Sequence, residues 1–299
     1  MKTFIITDSW DMTSDLVIQR MKDKAFRINS DIIRDYKIAL NEEGFHISDP
    51  SGRTINSSEI SSVYWRKPFS EDAYSDPSHP EYFFYSECRY LIRELYNICV
   101  ARGAFALVEE GAERRLGKIK QLIFAKDYFA VPEWNLHLGH DYTAPLQSIA
   151  KSLSGEAVDA EHVLYTTRID GMALDPSHVW FTQRAVDRSA NITVCFVNGS
   201  IFAYRLNEIE GITDWRAILD QPEAQEWHMH ALPPTTIKSI NLFMQRCGLR
   251  YGRLDFLLQG EELYFLEVNP NGQWAWLDLN DKTGLISSMV NAIRGNGTL

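Results

Sequence analysis

LDFLLQGEELYFLEVNPNGQW, residues 254 to 274, holds two β-rich runs on either side of Gly260 and Glu261, and its reading decides the fold. A turn centred on Glu261 sets Asp255 opposite Glu267. Side chains on one strand repeat every second residue, so Asn269 joins them on one face. Two carboxylates held close repel, and burying them uncompensated costs several kcal/mol. A divalent cation removes that cost. Carboxylate and amide oxygens without His or Cys suit a hard ion, and so few protein ligands suit Mg2+ better than Ca2+. Spacing alone leaves a second reading open, in which Asp255 and Glu267 are ordinary solvent-facing strand residues.

The remaining composition narrows the partners. The chain has 299 residues, 45% hydrophobic and 23% charged, enough for two or three compact lobes. A formal net charge of -10 argues against broad binding to nucleic acid or an anionic membrane, so any polyanionic ligand must meet locally placed cations. No opening run has the form of a signal peptide, and no run of about 18 apolar residues could span a bilayer, so a cytoplasmic protein is expected. Cys88, Cys99, Cys195 and Cys247 lack C-x-x-C spacing and read as reduced structural thiols.

Working outward, KTFIITD followed by a helical stretch from Thr13 to Met21 is a β-α opening. YKIAL, GFHI and SSVYWRKP read as strands, the last stopped by Pro68. Phe84, Cys88, Leu91, Leu95, Ile98 and Cys99 recur at three and four residues within an amphipathic helix from Glu81 to Arg102, stopped at Gly103. A second helix is expected from Glu113 to Tyr128, ahead of Pro132. Strands follow at LQSIAKSL, HVLYTTRI and VWFTQRAV. NITVCFV and SIFAYRL form a hairpin around Asn198-Gly199, a helix runs from LPPTT to Gly248, and the last helix spans Thr283 to Arg294. The expected class is α+β, with an N-terminal α/β domain over 1–115, a central subdomain over 116–180 and a C-terminal subdomain over 181–299.

YGRLDFLLQGEELYFLEVNPNGQW resembles the C-terminal signature of ATP-grasp ligases, and its Asn-Pro-Asn-Gly-Gln-Trp ending resembles the microviridin and graspetide peptide ligases. RKP at 66–68, KIKQLIFAKDYFAVPEW at 118–134, IAKSLSGEA at 149–157, LYTTRI at 164–169, DWR at 214–216 and LPPTTIKSI at 232–240 agree in order. The resemblance implies a nucleotide cleft between the last two lobes. Its Mg2+ ions would be held by Asp255, Glu267 and Asn269, and Lys118 and Lys151 would neutralise the roughly four negative charges of ATP. FTQRAV at 181–186 resembles the hinge strand that binds adenine through its backbone, with Gln183, Arg184 and Val186 as contacts. Arg184 departs from the acidic residue usual there. Thr193 stands where the family usually has an arginine, a loss of about 4 to 7 kcal/mol of barrier unless another cation substitutes, with Arg188 and Arg205 as candidates.

Arg216 could hold a substrate carboxylate in a bidentate pair, or simply contact Asp214 at the surface. GAERRLGK at 111–118 is not a P-loop, because its spacing is one residue too long and Ile119 replaces the required Ser or Thr. Ser154-Gly155 could form a lid, Trp274 and Trp276 would share a face on an extended segment, and His228 and His230 lack a third metal ligand. By resemblance, the partner is a precursor peptide with an Asp/Glu-rich core, whose leader docks near 206–232, and a homodimer fits the family. The leading function is an ATP-dependent ligase that joins side-chain carboxylates to hydroxyls or amines through an acyl phosphate. A ligase for free amino acids and a nucleotide-binding scaffold without turnover stay open.

Overall fold

The computed structural model describes residues 1–69, 76–154, 166–208 and 226–295. β1 (Lys2–Thr7) leads to α1 (Met12–Met21), which Asp11 caps by accepting from the Ser14 amide at 3.0 Å, and then to β2 (Ala25–Asn29). A ribbon of β3 (Lys37–Asn41), β4 (Gly44–Ser48) and β5 (Thr54–Asn56) precedes β6 (Ile60–Trp65), α2 (Tyr82–Ala101) and β7 (Phe105–Ala106). The parallel sheet has the order β2-β1-β6-β7. It is apolar on both faces, as a covered parallel sheet must be. Phe4, Ile6, Val63 and Trp65 meet the Cys88, Ile92, Leu95 and Cys99 stripe of α2 on one side. Ile5 and Tyr64 on the other join a core shared with Cys195, Trp274 and Leu285.

The expected helix from Glu113 to Tyr128 is two helices, α3 (Ala112–Arg115) and α4 (Lys118–Ala125). The chain leaves helical geometry at Leu116 and Gly117, and buried Gln121 donates to the freed Leu116 carbonyl at 2.9 Å. There follow β8 (Trp134–His137), β9 (Tyr142–Thr143), β10 (Ser148–Lys151), β11 (Thr167–Arg168), β12 (Ala173–Leu174) and β13 (Trp180–Arg184). They build an antiparallel sheet β11-β10-β13-β8 and a small β12-β9 pair. Of the expected strand over 162–169, only Thr167–Arg168 lies in a described strand, since 155–165 fall outside the described residues.

β14 (Ala190–Val197) and β15 (Ser200–Asn207) form the expected hairpin, with Asn198 and Gly199 at φ of 47° and 94°. β16 (His228–Met229), α5 (Pro234–Cys247), β17 (Tyr251–Gln259), β18 (Glu262–Asn269) and α6 (Leu285–Ile293) complete the chain. The five-stranded sheet has the order β16-β15-β14-β17-β18. One face carries Ile192, Val194, Leu254 and Phe256 against α4 and α5, where Phe129, Phe243, Phe256 and Phe265 pack ring to ring at 5.1–5.8 Å. Trp274 and Trp276 do not share an extended face. A short 3-10 turn at Ala275–Leu277 separates them, burying Trp274 beside Tyr64 and leaving Trp276 against Trp227.

Candidate nucleotide and metal site

Asp255 lies opposite Glu267, by a route different from the expected turn. Gln259 pairs with Glu262 and Phe256 with Phe265, so the turn has two residues, Gly260 and Glu261, and a regular ladder would pair Asp255 with Leu266. Leu266 is instead an extra residue that restores the pairing. The bulge also reverses the alternation. Phe265 and Val268, three apart, both enter the apolar core, while Glu267 and Asn269 are left on the opposite face with Asp255. β18 is an edge strand, and its outward amides are satisfied by the Ala130 carbonyl, which accepts from Phe265 at 2.8 Å, and by Gln121 Oε1, which accepts from Val268 at 2.8 Å.

The three oxygen-bearing side chains converge. The Asn269 amide nitrogen donates to Asp255 Oδ2 at 3.4 Å and to Glu267 Oε1 at 3.3 Å. Asp255 and Glu267 keep 23% and 27% of their side-chain surface exposed, so a ligand can reach them. Lys118, the first residue of α4, donates to the Ser152 carbonyl at 2.9 Å and approaches Glu267 Oε2 at 3.8 Å. It thereby links the carboxylate face to the segment that immediately follows Lys151. Lys151 ends β10, opposite Phe181 of β13.

One neighbour escaped the sequence reading. Arg253 precedes Asp255 by two residues on the same face and donates to Asp255 Oδ2 at 3.1 Å and to the Gln273 carbonyl at 3.1 Å. Burial works against its charge, but the Asp255 carboxylate outweighs that and holds its pKa above the ordinary guanidinium value. The period-2 rule that grouped Asp255 with its partners would have found it. Thr193 does not leave a gap: opposite Asp255 on β14, its hydroxyl donates to Oδ1 at 2.7 Å. Of the arginines considered as substitutes, Arg205 bonds Asn207.

At the expected hinge strand, Gln183 is buried and its Nε2 finds no hydrogen-bond partner among the described residues, leaving a buried donor of the kind a heteroaromatic ring satisfies. The Arg184 amide donates to the Glu133 carbonyl at 2.8 Å and the Ala185 amide to the Gln147 carbonyl at 2.6 Å. Neither amide is available to a base. The Arg184 guanidinium lies 5.7 Å from the Tyr264 ring centre, and Val186 is buried. Arg216, Gly155 and most of the proposed leader-docking segment lie outside the described residues. His228 and His230 sit on and just after β16, where His228 contacts Glu226. Among the described residues no group of three or more His, Cys, Asp or Glu side chains is placed to hold a metal; the Asp255 site has two carboxylates and an amide.

These elements and this order define the ATP-grasp fold. The chain is similar to the macrocyclase MdnC of Microcystis aeruginosa MRC, solved with the precursor peptide MdnA, at 21% identity and TM-score 0.77 over 99% of this chain and 100% of that one. An ATP-grasp ligase associated with RiPP production in Chryseobacterium gregarium, solved with ADP and a leader and core peptide, matches at 18% identity and TM-score 0.77 over 100% and 98% of the two chains. The D-alanine–D-alanine ligase of Bacillus anthracis matches more distantly, at 12% identity and TM-score 0.54 over 99% and 97%. No family model matches the chain, and neither does any curated protein. No helix among the described residues is long and apolar enough to cross a membrane.

Proposed function

We propose that the protein is an ATP-dependent carboxylate ligase that acts on a ribosomally made precursor peptide and joins its acidic side chains to hydroxyls or amines. The observation that carries this reading is the convergence of Asp255, Glu267 and Asn269 with Lys118 on one sheet face. The donor set fits Mg2+, and the unpartnered Gln183 Nε2 fits a purine. That MdnC was solved with a precursor peptide, and the Chryseobacterium ligase with ADP and peptide, supports the substrate class.

ATP bound with Mg2+ would supply the phosphoryl group that makes a carboxylate reactive as an acyl phosphate, and the metal would neutralise the phosphates. The chain's own residues then have separate tasks. Asp255, Glu267 and Asn269 would hold the metal, with the Asn269 amide turned over so that its oxygen rather than its nitrogen faces the two carboxylates. Lys118 and Lys151 neutralise phosphate oxygens. Arg253 faces the charge that develops on the reacting carboxyl oxygens, the role expected of the arginine missing at Thr193. With the Arg184 and Ala185 amides engaged, base recognition falls to Gln183, the hinge carbonyls and Val186. In this reading 1–115, 116–180 and 181–299 act as three lobes of a cytoplasmic enzyme, closure of the central lobe excludes water, and Arg216 contributes from the cleft rim.

Co-expression with a short Asp/Glu-rich precursor peptide, sought among the reading frames beside the gene, is the direct test. A peptide mass lowered by one or more waters, and unchanged when Glu267→Gln is co-expressed instead, supports the ligase. ATP binding without turnover over many acidic peptides would show a scaffold.

A further inference from the structure

The parallel sheet has a topological switch point. From β1 the chain passes to β2 on one side and returns to β6 on the other, and ligands of open α/β sheets bind beyond the carboxyl ends of the strands at such a point. Here those ends are Asp8 to Asp11 after β1, and Arg66 and Lys67 after β6. Arg66 is fully buried and donates through Nη1 to the Asn271 carbonyl at 2.6 Å and to Asn271 Oδ1 at 2.9 Å, fixing it to the loop that follows the metal strand. Among the described residues its Nε and Nη2 find no hydrogen-bond partner, nor does Arg253 Nε, and the nearest described carboxylate to Arg66 is Asp11, at 3.7 Å from Nε. Buried guanidinium donors without acceptors are rare and costly, and here they leave the positive charge of Arg66 and Arg253 incompletely neutralised at the switch point.

Lys67 completes the group. It is exposed, and it holds a positive φ of 44°, as does Phe69 at 66°, a conformation that non-glycine residues adopt at a cost. The loop is pinned by the Phe69 amide, which donates to Ser30 Oγ at 3.0 Å. Crowding by protein first, and then the Arg66 charge, lower the Lys67 pKa; Arg253 adds to this, while Glu113 and Asp11 oppose it. An ammonium among like charges is stabilised by an incoming anion.

We infer that Arg66, Lys67 and Arg253 form a carboxylate-binding site at the β1–β6 switch point, in which Lys67 and Arg253 receive the acidic side chain of the peptide beside the metal face and Arg66 positions the Asn271–Gln273 loop. This rests on the proposed ligase reading and assigns the parallel sheet a part in choosing glutamate or aspartate over their amides. Lys67 is the specificity residue.

The test uses the full chain saturated with ADP and Mg2+, with fluorescein-labelled Gly-Glu and Gly-Gln repeat hexapeptides as probes in fluorescence anisotropy. Wild type is expected to bind the glutamate peptide at least about tenfold more tightly than the glutamine peptide. Lys67→Gln brings the two within about twofold, Lys67→Arg keeps the preference, and ADP affinity changes less than about twofold in both. Lys67→Gly, which relieves the positive φ, must behave as Lys67→Gln does, separating the charge from any effect on the loop. Wild type that binds ADP without preferring glutamate, or a preference that survives Lys67→Gln, overturns this site and leaves the nucleotide reading standing. Wild type that fails to bind ADP overturns the nucleotide reading itself.

Discussion

Asp255 faces Glu267 across β17 and β18 because Leu266 is an extra residue in the ladder, and the same bulge sends Phe265 and Val268 into the core. Were Leu266 instead paired in a regular ladder, Glu267 would point at the aromatic cluster, where an unpaired carboxylate costs several kcal/mol. Deleting Leu266 therefore separates two effects. The deletion removes the local bend but keeps Phe265 and Val268 inward and Glu267 outward. The shortened protein is expected to fold and to retain Mg2+-dependent ATP binding within about tenfold of wild type by calorimetry. Loss of binding in a folded protein would show that curvature, not facing, matters.

Glu267→Gln removes one of two carboxylates while keeping shape. Turnover should fall by about a thousandfold, roughly 4 kcal/mol of barrier, and Mg2+ should no longer strengthen ATP binding. Stability in the absence of metal should hold or rise slightly, since a like-charge pair is relieved. Thermal unfolding with and without Mg2+ measures both.

Gln121 bridges the broken helix and the bulged strand, donating to the Leu116 carbonyl and accepting from the Val268 amide. Gln121→Leu keeps the volume and leaves both backbone groups buried without partners, so a loss of about 2 to 4 kcal/mol is expected from urea unfolding. A change under about 0.5 kcal/mol would mean that the strand edge does not depend on it.

Gly272 is a point of close approach. A Cβ there would lie 2.9 Å from Arg253 Cβ and 3.1 Å from Asn269 Cβ, so Gly272→Ala must displace one of them. Activity should drop at least about tenfold while the unfolding midpoint moves little, because the displaced groups serve the site rather than the core.

Buried thiols give the pH dependence. Burial pushes Cys99 and Cys195 up to about 12 from an ordinary value of 9.0. With the folded value raised, the unfolded chain loses its thiol protons first as pH rises. Their contribution is complete below pH 9.0 and is lost as pH climbs through the window to about 12. The slope is at most about 1.4 kcal/mol per pH unit per thiol. A Cys99→Ala/Cys195→Ala variant should show a shallower alkaline decline in urea midpoint, and neither thiol in wild type should react quickly with Ellman's reagent at pH near 7.

Local chemistry made much of this chain legible. Asn198-Gly199 and Gly260-Glu261 announced their hairpins because few residues accept such turns, the Cys88–Cys99 stripe announced α2, and period-2 alternation grouped Glu267 with Asn269, while the expected turn centre on Glu261 placed Asp255 opposite them for a reason the bulge at Leu266 replaces. The same alternation places Arg253 beside Asp255, whereas Arg205 bonds Asn207. The break at Leu116–Gly117 and the turn at Ala275–Leu277 were not legible, since each is held by partners far along the chain, Gln121 between Leu116 and Val268 and Tyr64 beside Trp274.

By itself, then, the sequence determined which residues form strands and which neighbours on an unbroken strand share a face, because turn preference and side-chain period act over a few residues. Tertiary structure decided the bulge that turns Glu267 outward, the grip of Lys118 between Ser152 and Glu267, and the meeting of Arg66 with Asn271, 205 positions apart. Such contacts form only when cores bring distant segments together, and no local preference encodes that distance.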